Sequence, residues 1–294
     1  MYLDFHTHGK LAKKLPFSTA YTDWLFGEAK GAGLDALCLT EHFNTLQFDE
    51  LYGYLMKTCD REGDTLVTKD GLRIFAGMET DIREGGHILC LGAPEEILEL
   101  NRRLEPHKIC GSFLPFQNLM DLFDQYSVIV GGGHPFREGS HIPELPEEQL
   151  RRFDFLDLNG KDVAADREKT WKLTEGLADR LGIPMVSGSD THQAVQYGCI
   201  RTRFSKETNT VKELYQEMRE GNYEILISDY AAFQVKTAGI LKRALKEIHA
   251  IGGDYVSVLT EGGEMPAKAS QKATGRRLRY GACNTGIRRK VYQV

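Results

Sequence analysis

Short apolar runs alternate along most of the chain with longer stretches whose apolar residues recur every three or four positions. The short runs are typical of buried strands and the longer stretches of amphipathic helices, so their alternation predicts parallel βα units. The predicted strands cover residues 2–6, 36–40, 73–78, 88–92, 128–131, 155–158, 184–187 and 224–227. The predicted helices between them cover residues 19–32, 46–61, 117–126, 166–181 and 210–220.

The pattern changes near residue 230, so we divide the chain into a barrel-forming region, 1–230, and a C-terminal helical and basic extension, 231–294. Residues 229–251 have the spacing of one long helix, which Gly252 and Gly253 end. Basic residues then dominate: Lys268, Lys272, Arg276, Arg277, Arg279, Arg288, Arg289 and Lys290. A tail for nucleic acid or an acidic partner is one interpretation, but we favour a solvated extension because basic clusters are weakly specific.

The composition indicates a globular enzyme rather than a disordered or membrane protein. The 294 residues are 41% hydrophobic and 27% charged. No apolar run approaches the ~20 residues that span a bilayer, and the N-terminus lacks the pattern of a secretory signal. The six cysteines form neither a CxxC pair nor a disulfide framework. We therefore expect a cytoplasmic protein without a membrane partner, and the net charge of −5 argues against a general nucleic-acid coat.

Side chains that bind metals gather at the ends of the predicted strands. His6 and His8 end the first strand on one face, because residues i and i+2 of a strand point the same way. The others follow later runs: Glu41 and His42, then Glu79, then His134, then Asp190 and His192. The C-terminal ends of parallel barrel strands open on one face, so we expect these side chains to converge.

This mixture of side chains indicates the chemistry. Imidazole and carboxylate ligands suit zinc, manganese or iron, and Glu79 or Asp190 could bridge two ions about 3.5–4 Å apart. Paired ions generate hydroxide near neutral pH and stabilise both oxygens of a phosphoryl displacement. Each motif alone is weak, but five clusters at strand ends together favour a metal centre. We expect His107 and His249 to be structural and His141 to lie in a surface loop.

At these positions the sequence resembles the polymerase and histidinol phosphatase (PHP) family of metal-dependent phosphoesterases. The matching motifs, in the family order, are DFHTH at 4–8, TEH at 40–42, GMET at 77–80, GHIL at 86–89, GGHP at 132–135 and SGSDTH at 187–192. They cover most of residues 1–230. The resemblance implies an α/β fold, a distorted seven-stranded (β/α) barrel.

The resemblance also implies two to three divalent ions. The implied ligands are His6, His8, Glu79 and Asp190 for the first ion, Glu79, His87 and His134 for the second, and His42 and His192 for the third. We expect Glu79, Asp190 and His192 to be catalytic, and Glu41 to orient a ligand. The resemblance alone supports His87, because this residue begins a predicted strand rather than ending one.

The chain departs from the family where the third site is usually completed. The family commonly has Asp or His five or six residues after the HxH motif, whereas Lys13 and Lys14 stand near that place here. Protonated lysine cannot ligate a cation, so we expect two tightly held ions and a weak or empty third site. Either lysine could instead bind a substrate phosphate. Further candidates for substrate binding are Arg137, Lys161 and Asn159, with surface ion pairs as the alternative.

These residues predict an enzyme that hydrolyses a small phosphomonoester, similar to histidinol phosphate or a nucleotide, by metal-bound hydroxide. A nuclease or phosphodiesterase acting on nucleic-acid ends is the runner-up, which the basic tail would favour. A non-catalytic metal-binding module that serves as a scaffold is a third interpretation, against which the intact ligand set argues. A metal-dependent amidohydrolase uses a similar barrel, but its usual partner motifs are not evident. The sequence leaves the substrate, the metal and the oligomeric state open.

Overall fold

Seven strands curve into a nearly closed barrel in the computed structural model, which describes residues 1–260. The strands are β1 Tyr2–Thr7, β2 Ala36–His42, β3 Asp60–Glu62, β4 Thr65–Val67, β5 Arg73–Asp81, β6 His87–Leu91, β7 Ile129–Gly133, β8 Phe155–Asn159, β9 Met185–Gly188, β10 Ile200–Phe204 and β11 Tyr223–Ile227. The barrel order is β1-β2-β5-β6-β7-β8-β9, and a bridge between Thr7 and Thr191 brings the end of β9 back to β1. The predicted distorted seven-stranded barrel is thereby confirmed.

Two antiparallel strand pairs extend this barrel. β10 and β11 continue the sheet beyond β1 in antiparallel pairing, and the short hairpin of β3 and β4 adds to β5. None of β3, β4 and β10 was predicted. Residues 60 and 61, predicted as the end of a helix, lie in β3 instead.

Helices surround the strands. They are α1 Thr19–Gly31, α2 Phe48–Thr58, α3 Pro94–Arg103, α4 Phe116–Phe123, α5 Glu147–Leu150, α6 Gly160–Ala165, α7 Arg167–Leu181, α8 Val211–Arg219, α9 Ala231–Ala250 and α10 Ser257–Thr260. Capping residues mark the start of several helices. Ser18 caps α1, and Thr210 with Glu213 forms a capping box at the start of α8. The unpredicted α3 begins with proline and buries Ile97 and Leu100, as an amphipathic helix should.

One barrel strand runs opposite to the parallel arrangement that we expected. β6 pairs antiparallel with both β5 and β7, whereas β1–β2, β2–β5, β7–β8 and β8–β9 are parallel. The connection from Asp81 to His87 is too short for a crossover helix, and it turns through Gly85 and Gly86 at positive φ. His87, the first residue of β6, therefore pairs with Asp81 and with Gly133, at the rim where the parallel strands end.

The described part of the predicted C-terminal extension packs on the barrel region. α9 contacts α6 and the short turn Ala194–Gln196, and Gln234 Nε2 donates to the carbonyl oxygens of Val195 and Tyr197. The division at residue 230 stays a prediction, and the basic residues from Lys268 to Lys290 lie outside the described residues. Up to residue 260, no helix has both the length and the apolar character needed to cross a bilayer.

Candidate metal centre

Imidazole and carboxylate side chains converge at the rim where the parallel strands end. They form four overlapping groups of three residues, and within each group the ligand atoms lie within 4.8 Å of one another. The groups are His6, His8 and Glu79; His6, His134 and Asp190; Glu79, His87 and His134; and His8, His42 and His192. Every predicted metal ligand is a member of at least one group. The structure thus brings the whole predicted set together, and ligation itself stays a prediction.

Glu79 lies at the middle of this cluster. Its Oε1 is 3.1 Å from His134 Nε2, 3.5 Å from His6 Nε2 and in contact with His87 Nδ1, and its Oε2 is 2.7 Å from His42 Nδ1 and 3.7 Å from His8 Nε2. Burial raises the pKa of Glu79, but the neighbouring His87, His42 and His6 outweigh it and hold the pKa well below its usual range. An ionised carboxylate among imidazoles is suited to bridging two cations.

Several buried atoms of the cluster lie close to one another but form no hydrogen bond of normal geometry among the described residues. They are His6 Nε2, both ring nitrogens of His8, Glu79 Oε2 and His134 Nδ1. Buried polar atoms are nearly always paired in folded proteins, so this concentration indicates a group that binds here. Burial also lowers the pKa of His192 well below its usual value, which keeps the imidazole neutral and able to ligate. The donor set fits divalent ions such as zinc, manganese or iron.

Two buried contacts orient imidazoles of the cluster. His6 Nδ1 donates to Asp157 Oδ2 at 2.9 Å, which leaves His6 Nε2 on the side of Glu79. His192 Nδ1 donates to the carbonyl oxygen of Lys10 at 2.8 Å. Such contacts fix the tautomer and the ring orientation of a metal ligand.

Sequence reasoning missed two carboxylates of this centre. Asp157 lies in the middle of the apolar run FLDLN and is fully buried, and Asp81 follows Glu79 by two residues. Asp81 Oδ1 lies 3.0 Å from His87 Nε2. An acidic residue inside an otherwise apolar strand was the available signal, because a buried carboxylate needs a partner.

The reversed β6 accounts for the position of His87. Because β6 is antiparallel to its neighbours, its first residue lies at the same rim as the last residues of β5 and β7. His87 Nδ1 lies 3.1 Å from His134 Nε2. His87 was an unusual candidate because it begins a strand. In this reversed strand, that position brings its side chain to the cluster.

Backbone strain coincides with two of the candidate ligands. His134 has φ 32° and Asp190 has φ 55°, in the left-handed region that residues other than glycine rarely adopt. Such conformations cost on the order of 1–3 kcal/mol and persist only where the surroundings hold them. The Asp190 amide, for example, donates to the carbonyl oxygen of His6 at 2.7 Å. Strain of this kind is typical of functional sites.

The predicted substrate-binding residues after β7 and β8 meet at Asp190. Arg137 Nη1 lies 2.8 Å from Asp190 Oδ2, and Lys161 Nζ lies 2.8 Å from Asp190 Oδ1. Arg137 also donates to Asp162 Oδ1 at 3.0 Å and to Asn159 Oδ1 at 2.7 Å. Burial raises the pKa of Asp190, but Lys161 and the other positive neighbours hold it well below its usual range. Arg137, Asn159 and Lys161 thus form one polar group beside the cluster.

Lys13 and Lys14 differ in position. Lys13 Nζ lies 3.9 Å from Asp81 Oδ2, and Lys14 is exposed to solvent. We expected the third site to have only His42 and His192 as ligands. The structure places a third imidazole, that of His8, in the same group. The rings of His8 and His192 stack with their centroids 4.0 Å apart. Occupancy of this third group stays a prediction.

The three remaining histidines lie in other surroundings. His107 Nδ1 donates to the carbonyl oxygen of Ser112, and His141 Nδ1 pairs with Glu144 at 3.0 Å. The ring of His249 meets that of Tyr255 edge-on. None of the three joins a ligand group in the described part of the chain.

Asp157→Asn is expected to reduce catalysis about 10–100-fold, because it weakens the contact that orients His6. The change keeps the size of the side chain, so the thermal unfolding temperature should move by only a few degrees. Turnover per bound metal ion is the measurement. Asp179→Asn, an exposed change on α7, is the matched control. Full turnover in Asp157→Asn would contradict the orienting role.

Comparisons with known proteins identify one region that matches a family model and several solved structures with a similar fold. The family model described as PHP-associated matches residues 172–223. The structure of PsfC from Pseudomonas syringae PB-5123 is similar at 21% identity and a TM-score of 0.68, over 83% of this chain and 98% of that one. Endonuclease Q in complex with a 27-mer duplex that carries an abasic lesion is similar at 17% identity and a TM-score of 0.57. A search of the curated proteins gave no significant match.

A second structure of endonuclease Q, the lesion-specific enzyme from Pyrococcus furiosus, is similar at 18% identity and a TM-score of 0.56. The match to each endonuclease covers 76% of this chain but only 57% of the endonuclease. At these sequence identities the likeness shows a shared fold and nothing more. The match to the PHP-associated model over residues 172–223 bears out the predicted resemblance to the PHP family.

Proposed function

We propose that this chain is a metal-dependent phosphoesterase that hydrolyses a small phosphomonoester. One observation carries the proposal: the imidazole and carboxylate cluster lies directly beside Arg137 and Lys161, which meet at Asp190. The cluster suits divalent ions, and a guanidinium with an ammonium suits a phosphate. The likeness to an endonuclease, an enzyme that cleaves phosphate esters, supports the same class of reaction.

The roles of the chain's residues follow from their positions. Divalent ions, when bound, would neutralise phosphate charge and lower the pKa of a water molecule. Glu79 and Asp190 would hold those ions as carboxylates, and His192 would present a neutral Nε2, since its Nδ1 donates to a carbonyl oxygen. Asp162 and Asn159 fix the plane of Arg137, so its guanidinium is already oriented before substrate arrives.

A small cavity next to the centre favours a small substrate. It has a volume of about 170 Å³, and its lining includes His134, Arg137, Asn159 and Lys169. Pockets that bury a drug-sized ligand are larger, roughly 300–1,000 Å³. A compact group attached to the phosphate would fit here.

Removing the metal is expected to abolish hydrolysis of small phosphomonoesters, and reloading with zinc, manganese or iron should restore it. The measurement combines metal analysis with a turnover screen over phosphomonoesters, phosphodiesters and oligonucleotides. Cleavage of oligonucleotides alone would replace the proposal with a nuclease. Tightly bound metal without turnover of any ester would instead favour a non-catalytic module.

A further inference from the structure

The inner face of α9 carries one charged residue among buried apolar ones. Ala231, Ala238 and Leu245 are buried and recur every seven positions, so they share one face of the helix. Lys242 follows Ala238 by four residues and precedes Leu245 by three, which places it on that same face. It is half-buried, whereas its neighbour Arg243 is exposed.

This face packs against the elements that flank the metal centre. α9 contacts α6, which includes Lys161, and the turn Ala194–Gln196, which begins two residues after His192. Its first residue, Ala231, packs in one apolar cluster with Val163 of α6, and Leu245 belongs to another cluster. Lys242 lies on the stretch of helix between these two anchors, on the face that includes Ala238 and Leu245.

Lys242 differs from Lys161 in its partners. Lys161 is paired with Asp190, but Lys242 forms no ion pair with any residue up to 260. Burial and the nearby Lys161 ammonium lower the pKa of Lys242 to about 8, although the Asp190 and Glu41 carboxylates act in the opposite direction. Two ammonium groups that repel each other at a site are stabilised by an anion that contacts both.

We propose that α9 covers one side of the metal centre and that Lys242, together with Lys161, binds the dianionic phosphate of a monoester substrate. The inference rests on the proposed function and names the residues that would recognise its dianionic substrate. A phosphomonoester carries one more negative charge than a diester near neutral pH. The ammonium without a partner on α9 supplies the positive charge that would distinguish the two.

Lys242→Met tests this proposal, because it removes the charge and keeps the apolar stem of the side chain. With metal-loaded protein, calorimetric titration of inorganic phosphate should show about tenfold weaker binding, the size of one partly screened charge contact. Lys242→Arg should bind within about threefold of the unaltered protein. Lys236→Met, an exposed change on the same helix, should bind phosphate normally.

Turnover supplies a second measurement. Lys242→Met should raise KM for p-nitrophenyl phosphate about tenfold and leave KM for bis-p-nitrophenyl phosphate unchanged, with the metal content unaltered. Unchanged phosphate affinity in Lys242→Met, or an equal loss in Lys236→Met, would overturn the proposal. Phosphate binding is measured without turnover, so failure of the proposed hydrolase activity would be recognised separately from failure of this inference.

Discussion

Glu79→Gln is expected to reduce hydrolysis by about a thousandfold or more. Loss of a group that only orients a ligand typically costs ~10–100-fold, and Glu79 is placed to hold the ions itself. Its carboxylate contacts five imidazoles, so the amide would remove the charge from the middle of the cluster. Bound metal, measured by elemental analysis after dialysis, should fall in parallel.

The control for this change is Glu175→Gln, which alters an exposed carboxylate on α7. It should keep both turnover and metal content. The two folded variants should give the same far-ultraviolet circular dichroism spectrum. Full metal content and normal turnover in Glu79→Gln would contradict the proposed role of Glu79 in holding the ions.

Gly188→Ala is expected to lower the free energy of unfolding by about 3 kcal/mol, the upper part of the usual range for overpacking. An added Cβ would stand 2.2 Å from His6 Cβ, 2.7 Å from His6 N and 2.8 Å from Asp157 Oδ1. Backbone atoms of β1 cannot move aside as a flexible side chain would. The free energy of unfolding is measured by urea denaturation.

Gly176→Ala on α7 is the matched control, since an added Cβ there meets no atom within 4 Å. Alanine favours helix over glycine, so this variant should be as stable as the unaltered protein or up to ~1 kcal/mol more stable. Equal stability in Gly188→Ala and Gly176→Ala would contradict the close approach of β9 to β1.

The barrel and most of the candidate centre could be predicted because their signals are local. HxH at the end of β1 and SGSDTH after β9 each place side chains at a strand end, whatever the rest of the chain does. Continuous apolar runs likewise marked the barrel strands. β10 was not predicted because only its alternate residues are buried, with Arg201 and Arg203 between them. Such alternation over five residues is a weaker signal than a continuous apolar run.

The unpredicted features depend on pairing between distant segments. The place of His87 follows from the direction of β6, which is set by its pairing with β5 and β7. The role of Asp157 becomes visible only once β8 lies beside β1 and the carboxylate meets His6. Lys242 is an ordinary helix residue until α9 packs on α6. Residue types and spacing mark Asp157 as unusual but do not identify the partner of any of these three residues.

The closure of the barrel between β9 and β1 gives the candidate ligands a second physical role. Closing it joins the first and last strands of the barrel, so the chain loses the loop entropy of nearly its whole barrel region. Few backbone hydrogen bonds cross this seam, among them His8 N to Thr191 O and Asp190 N to His6 O. A hydrogen bond from a backbone amide to a side chain also crosses the seam, since Ser189 N donates to Asp4 Oδ1.

His8 and Asp190 therefore fasten the two ends of the barrel as well as facing its centre, with 3.3 Å between His8 Nε2 and Asp190 Oδ1. Glu79 and His87 face the same centre from the opposite wall, within one hairpin whose strands are neighbours in sequence. An ion shared between these walls would act as a cross-link that the chain can gain and release. The barrel's seam would then be tightest when its centre is filled.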